Sequence, residues 1–389
     1  MTSAAARLGE GRVTRLESIL SRRLPRTTAL VVGLAVALVV PLAQSPFWSF
    51  VAALTALYVV FGLSVVVLTG LSGQISLMQF TYVGVGAFAA YVAGERNGLP
   101  LPVAVVIAGL ATVPVSVLVG VPALRLRGMY LAIATLTVAD VFVRQVFASR
   151  AVLGTASTTG ALMTRPSVIE SDRALYIAAF ALACFASWTV AGLRKGRLGR
   201  AFLAVRENDD AATALGVNVV KYRILAFVLA GLYPGVGGAL YAYLIGGIAP
   251  LQFGFTQSLQ LLFGVIVGGL FSVTGAVVAA LLAVLQVELF KGRVGLVTMV
   301  GLLQLGVLLV VMMRKPGGLV QIAQDAVAWA RLSPTRRWPV VVGAVVGVVV
   351  TLLLAYHRQD MAARVLGVVL AATAVVLYRL RRRLFWSAA

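Results

Sequence analysis

Long apolar runs broken by short, basic, polar stretches organise this sequence. Ala29–Ala43, Val51–Gly70 and Pro102–Val121 each stay apolar over about 15 to 20 residues. A membrane barrel strand would alternate apolar and polar positions over about ten residues. Unbroken runs of this length suit helices crossing the hydrocarbon layer. The pattern predicts spans near 28–43, 51–70, 76–94, 101–122, 129–148, 174–192 and 222–245. The stretch 257–290 is too long for one ordinary span and contains Gly268, Gly269 and Gly275, so it reads as two shorter segments, 257–271 and 274–290. Further spans follow at 295–313, 339–356 and 364–380. The fold class is an all-α polytopic membrane protein, a bundle of about 9–11 transmembrane helices.

Composition agrees. Apolar residues make up 61% of the 389, and only 12% are charged, where a soluble chain would carry about a quarter. The formal charge of +21 invites a nucleic-acid reading, but the basic residues fall in clusters between apolar runs, as the positive-inside rule expects. With the N-terminus inside, 24 of the 33 basic residues fall in internal segments and eight in external ones, with Arg144 left inside a span. Treating 257–290 as one span would put Arg314, Lys315, Arg331, Arg336 and Arg337 outside, which also favours the break. Both termini are therefore expected in the cytoplasm. Six arginines precede the first run, and Ser21-Arg22-Arg23 resembles a twin-arginine signal only faintly, so residues 1–27 read as a cytoplasmic tail rather than a cleaved leader. Residues 28–318 form the transmembrane core. Residues 319–338 form a linker in which Leu319, Ile322, Ala323, Ala326, Val327 and Ala330 recur at helical spacing, either lying in the membrane interface or packed against the core. Residues 339–389 form an additional C-terminal hairpin with a basic tail.

Candidate chemistry is sparse. Cys184 is the only cysteine and His357 the only histidine, so no metal site is expected from histidine or cysteine clusters. There is no phosphate-binding P-loop, no H-E-x-x-H and no nucleophile elbow. The chain is not expected to be an enzyme or to bind a cofactor.

Three segments stand out. The loop 194–221 mixes acids and bases, including Arg206, Glu207, Asp209 and Asp210. Gly199–Glu207 can form one short helix; Asn208 or Asp209 can cap a second, which Gly216 ends. Phe202, Val205 and Leu215 read as apolar anchors on a docking surface; the alternative is a solvated connector. The segment 70–91 is rich in small residues and places Gln74, Ser76 and Gln79 near membrane depth, either as interhelical hydrogen bonds or along a pathway. In 124–144, Asp140 and Arg144 lie four apart on one helix face and read as a structural ion pair near the external surface, the alternative being a substrate contact.

These residues also carry a resemblance. Gly73-Gln74-Ile75-Ser76-Leu77 with Gly84-Val85-Gly86-Ala87-Phe88, and the run from Leu126 to Leu136, resemble blocks of the permeases of branched-chain amino acid ABC importers, LivM-type subunit. Gly199-Arg200-Ala201, Arg206 through Ala212 and Leu215 through Asn218 are similar to that family's cytoplasmic block. Gly237-Gly238-Ala239-Leu240, Gly268-Gly269 and Pro316-Gly317-Gly318-Leu319 continue the likeness, which covers about 70–318. Pro234 departs from the family's pattern, and the hairpin after 339 extends beyond it.

The resemblance implies an ABC importer permease core for branched-chain or other small amino acids, or urea and short amides. It implies a LivH-type second permease, two ATP-binding cassette ATPases that use the ATP, and an extracytoplasmic binding protein, in the cell membrane. On it, Gln74, Ser76, Gln79, Tyr130 and Thr135 are candidates for the substrate path. Phe202, Val205, Arg206, Glu207, Asp209, Asp210 and Gly216 are candidates for contact with the ATPases. A sugar or nucleoside permease, a secondary transporter and a membrane scaffold are the rival readings.

Overall fold

The computed structural model describes residues 46–126, 128–153, 160–166, 169 and 171–289. The spans expected at 28–43, 295–313, 339–356 and 364–380, the tail 1–27 and the linker 319–338 lie outside the described residues.

Helix α1 runs over Pro46–Val65 and continues as a π-helical turn, Val66–Leu71. An irregular segment leads to α2, Gln79–Tyr91, which widens into another π-turn at Val92–Arg96. Helix α3 covers Leu101–Ala123, and α4 covers Met129–Val141 with a π-turn at Phe142–Val146. A single turn, α5 (Arg150–Leu153), and a two-residue strand, β1 (Ala161–Leu162), precede α6, Asp172–Lys195. Two short helices follow, α7 (Arg197–Glu207) and α8 (Asp209–Ala214), and then α9, Val219–Ile245. Strand β2 (Gly247–Ile248) pairs antiparallel with β1, and α10 (Phe255–Gly269) and α11 (Val273–Leu289) close the described chain. Six of its helical stretches are long and apolar enough to span a membrane.

The expected break in 257–290 falls at Leu270–Ser272, between α10 and α11. A Cβ on Gly268 would collide with the Gly275 carbonyl oxygen, so glycine is what lets the two helices fold back on each other. The Ser272 hydroxyl then accepts from the Gly275 N–H at 2.9 Å and starts α11. Helix α9 begins at Val219 rather than 222, because Asn218 caps it by accepting from the Lys221 N–H at 3.0 Å. Lys221 thus sits in the first turn of a span and Arg223 at the start of the next turn, with Arg194 and Lys195 in the last turn of another span, which shortens the expected loop.

Helix α9 packs against α1, α2 and α3. Its crossing with α2 is backbone on backbone: a Cβ on Gly86 would strike the Gly235 carbonyl oxygen, and one on Gly238 the Val83 carbonyl oxygen. With no hydrophobic drive between helices in lipid, such close van der Waals contact is what holds them together. Pro234 sits buried inside α9, and the helix runs on through it to Ile245. Aromatic rings fill the adjoining space. Phe80 and Phe253 stack at 6.3 Å and Phe88 and Phe147 at 4.7 Å, with Phe61 and Tyr241 meeting Phe80 edge-on. At the end of the bundle where α9 finishes, Arg165 donates Nε to the Tyr243 carbonyl (3.1 Å) and Nη2 to the Leu244 carbonyl (3.2 Å). It also bonds Asp172 at the start of α6 (2.6 Å), so one cation satisfies open carbonyls at a helix C-terminus and ties two elements.

Candidate functional site

The segment 72–78 between α1 and α2 is where polar groups gather. The Ser72 and Gln74 N–H groups reach back to the carbonyls of Val67 and Leu68, and Gly73 takes φ of 72°, a conformation that disfavours a side chain. Gln74, Ser76 and Gln79 are all buried: the first two lie in the break, the third opens α2. Ser76 Oγ accepts from the Met78 N–H at 3.4 Å. Gln79 Oε1 accepts from Ser64 Oγ at 3.0 Å, and Gln74 Nε2 donates to Ser72 Oγ at 3.4 Å. Gln79 Nε2 and Gln74 Oε1 have no partner among the described residues. Thr135, on α4, accepts from the Leu77 N–H at 3.0 Å, and Ser258, on α10, accepts from the Phe80 N–H at the same distance. The break thus hangs on hydroxyls from two other helices, which satisfy N–H groups that no helical turn reaches.

Four of the five path candidates therefore belong to one cluster: Gln74, Ser76 and Gln79 directly, and Thr135 through Leu77. Tyr130 does not join them; it stands 74% exposed in the first turn of α4. Ser64 and Ser258 belong to the cluster as well. The signal for them in the sequence is a lone hydroxyl inside an apolar run.

At the same end of the bundle, α7 and α8 form a stiff pair. Asn208 accepts from the Asp210 and Ala211 N–H groups at 2.9 and 3.1 Å and caps α8. Gly216, at φ of 79°, closes it, with its N–H on the Thr213 carbonyl and that of Val217 on the Ala212 carbonyl. The reading of Phe202 and Val205 as outward anchors is corrected here. Both are buried, and Phe202 belongs to an apolar cluster with Leu68, Leu71, Met78 and Phe227. They fasten α7 to its own bundle because that is where enough apolar surface lies to cover them. Leu215 is the anchor that points away, 81% exposed.

Arg206 bonds back to the spans. Its Nη1 donates to the Gly70 carbonyl at 2.7 Å, its stem covers Gly73, and its guanidinium lies 4.5 Å from the Phe271 ring centroid in the α10–α11 turn. Asp209 forms an ion pair with Arg223, which also donates to the Leu124 carbonyl at 3.4 Å. Glu207 and Asp210 are exposed. Between this pair and the break lies a pocket of about 390 Å³, lined by Ser72, Gly73, Gln74, Arg206, Asp209 and Arg223 among others. Helix α7 is thus linked through Arg206 to Gly70 and Gly73, beside Gln74, and α8 through Asp209 to α9.

Helix α4 has two unlike sides. Leu131, Thr135, Ala139, Val143 and Phe147 form a buried row; Tyr130, Ile133, Thr137, Asp140 and Arg144 form an exposed one. Arg144 Nε meets both Asp140 oxygens at 2.8 Å, so the pair forms, on the open side.

A family profile described as "Branched-chain amino acid transport system / permease component" matches residues 47–313. The chain is similar to the "High-affinity branched-chain amino acid transport system permease protein LivM" of Escherichia coli (strain K12), 29% identical over 302 residues and covering 70% of each chain. It is also similar to LivH of the same organism, 31% identical over 90 residues, 23% of this chain and 29% of that one. The "Nucleoside ABC transporter permease protein NupC" of Lactococcus lactis subsp. cremoris (strain MG1363) is 46% identical over 61 residues, 16% of this chain and 19% of that one. No solved structure matches. The family match takes in α1 through α11, the break and the α7–α8 pair, and this multi-pass membrane chain belongs to the family of branched-chain amino acid transport system permease components.

Proposed function

We propose that this chain is one transmembrane half of an ATP-driven importer for branched-chain or other small amino acids, with urea and short amides as variants. Its partners are a LivH-type second permease, two ATP-binding cassette ATPases and an extracytoplasmic binding protein. The chain binds no cofactor; the ATPases use the ATP. Both termini face the cytoplasm, on the distribution of basic residues.

One observation carries the reading. The capped α7–α8 pair is bonded through Arg206 and Asp209 to the break and to α9. Closure of the ATPases displaces this pair as a unit, and Arg206 carries the displacement to Gly70, the last turn before the break. The bundle then passes between outward-open and inward-open states, while the binding protein supplies selectivity. A loop without caps would absorb the movement instead.

The test is the complete transporter in proteoliposomes, with uptake of leucine, a nucleoside and a sugar measured beside ATP hydrolysis. ATP-dependent leucine uptake that needs the binding protein is expected. Nucleoside uptake without leucine uptake would instead support the second reading, motivated by the similarity to NupC over 61 residues.

A further inference from the structure

The Asp140–Arg144 pair is in an unusual place. Helix α4 starts at Met129, next to the pocket beneath α7–α8, and runs toward the opposite end of the bundle. At 1.5 Å per residue, Asp140 lies about 16 Å up the helix and Arg144 about 22 Å, so both fall within an ~30 Å hydrocarbon layer, in its half toward that opposite end. Neither side chain is covered: 50% of Asp140 and 68% of Arg144 are exposed. Charged groups at this depth do not face lipid tails; they face a partner or a water-filled path.

The pair is also only half used. Arg144 spends Nε on Asp140, and both its Nη groups lack a partner among the described residues. A guanidinium keeps its planar, two-pronged Nη edge for bidentate binding of a carboxylate. Each Asp140 oxygen accepts one bond and keeps capacity for another. A carboxylate-binding edge next to an ammonium-binding carboxylate matches the α-carboxylate and α-ammonium of an amino acid. Below it on the same exposed row lie Thr137, one turn away, and then Ile133, 56% exposed, which present small and apolar surface for a short aliphatic side chain.

We propose that Asp140 and Arg144 form the head-group site for a zwitterionic amino acid on the translocation path, with Thr137 and Ile133 beneath its side chain. This rests on the amino-acid reading above and names the residues that would recognise the substrate. The ligand adds to the ion pair rather than breaking it: Arg144 takes the carboxylate through Nη, and Asp140 takes the ammonium.

The experiment uses the complete transporter in proteoliposomes. In the Asp140→Asn/Arg144→Gln double variant, the two amides keep shape and hydrogen bonding but lose charge. It is expected to co-purify with its partner subunits and hydrolyse ATP, while leucine uptake falls about 10- to 100-fold, the worth of one or two charge-assisted hydrogen bonds. Arg144→Lys should retain part of the uptake. In a Cys184→Ser background, leucine should slow thiol labelling of a Thr137→Cys variant. Leucinamide, which lacks the carboxylate, and 4-methylpentanoate, which lacks the ammonium, should not.

Leucine uptake by the double variant within about twofold of wild type would overturn the proposal. If that variant fails to assemble, the labelling decides: absence of leucine protection overturns the site and leaves the pair as glue toward the second permease. A wild-type transporter that imports no amino acid at all would instead defeat the amino-acid reading itself.

Discussion

Helix α9 and helix α4 with its π-turn are both long and apolar, yet 56% of the most apolar 18-residue stretch of the first and only 28% of that of the second is buried within this chain. The difference lies in what each places on its faces. α9 offers Gly231, Gly235 and Gly238 to its neighbours, and α3 and α2 come close enough to touch its backbone. α4 has a single buried row and turns Tyr130, Ile133, Thr137, Asp140 and Arg144 outward. Apolar length shows that a helix can cross a membrane; small residues show where it meets its own chain, and charges show where it meets something else.

The largest effect is expected where α9 is tightest. Gly238→Val would drive its side chain into the Val83 backbone, where overpacking costs ~3 kcal/mol or more because backbone cannot step aside. The expected outcome is loss of the monodisperse peak in detergent size exclusion. Ile133→Ala on the open row of α4 should leave that peak and its melting temperature unchanged. Equal damage from both would end the contrast between the two helices.

A second contrast lies inside the α7–α8 pair. Phe202 is fully buried and Leu215 is not. Phe202→Ala should destabilise the bundle by ~3–5 kcal/mol through the cavity it leaves. A thermal shift in detergent reads this directly, and an unchanged melting temperature would contradict the packing described.

The same pair shows how far the sequence could be read. Asn208 and Gly216 mark the start and stop of α8 because capping depends on the chemistry of one residue and its neighbours in the chain. Gly268 and Gly269 mark the α10–α11 break for the same local reason, helped by the charge count on either side. Phe202 and Val205 were harder, since helical spacing shows that α7 has an apolar stripe without showing what covers it. Arg223 reads as one more internal basic residue; its bond to Asp209 joins positions 14 apart and appears only once α8 and α9 are placed. Ser64 and Ser258 are hidden by the apolar runs around them, and only the folded break shows which N–H groups and amides need them.

Coupling comes next in size. Arg206→Ala removes the bond to Gly70 and the contact with Phe271 but leaves α7 held by Phe202 and Val205. Stability should fall by about 1–2 kcal/mol. Uptake per ATP hydrolysed should fall much further, because the cut lies between the proposed ATPase contact and the break. Gly216→Val forces a branched side chain into the left-handed region, at a cost of ~1–2 kcal/mol, and should loosen α8 with the same uncoupled phenotype. Uptake and hydrolysis at wild-type ratio in both variants would remove the pair from the transmission path.

The smallest change in the protein itself is expected at Leu215, where the contrast between inward and outward residues is sharpest. Its side chain touches little of this chain, so Leu215→Ala should move stability by less than ~0.5 kcal/mol. Its value lies in what it presents. An exposed leucine at the tip of a rigid helix pair is the kind of apolar anchor that fills a pocket on a partner. Replacing it should weaken capture of the ATPase subunits by about tenfold, the loss of ~1.4 kcal/mol of apolar contact. Titration of purified ATPase against permease held in nanodiscs measures this without needing transport. Full affinity after Leu215→Ala, with Phe202→Ala destabilised as expected, would mean that the proposed ATPase contact runs through other exposed residues of the pair, such as Glu207 and Asp210, and not through this leucine.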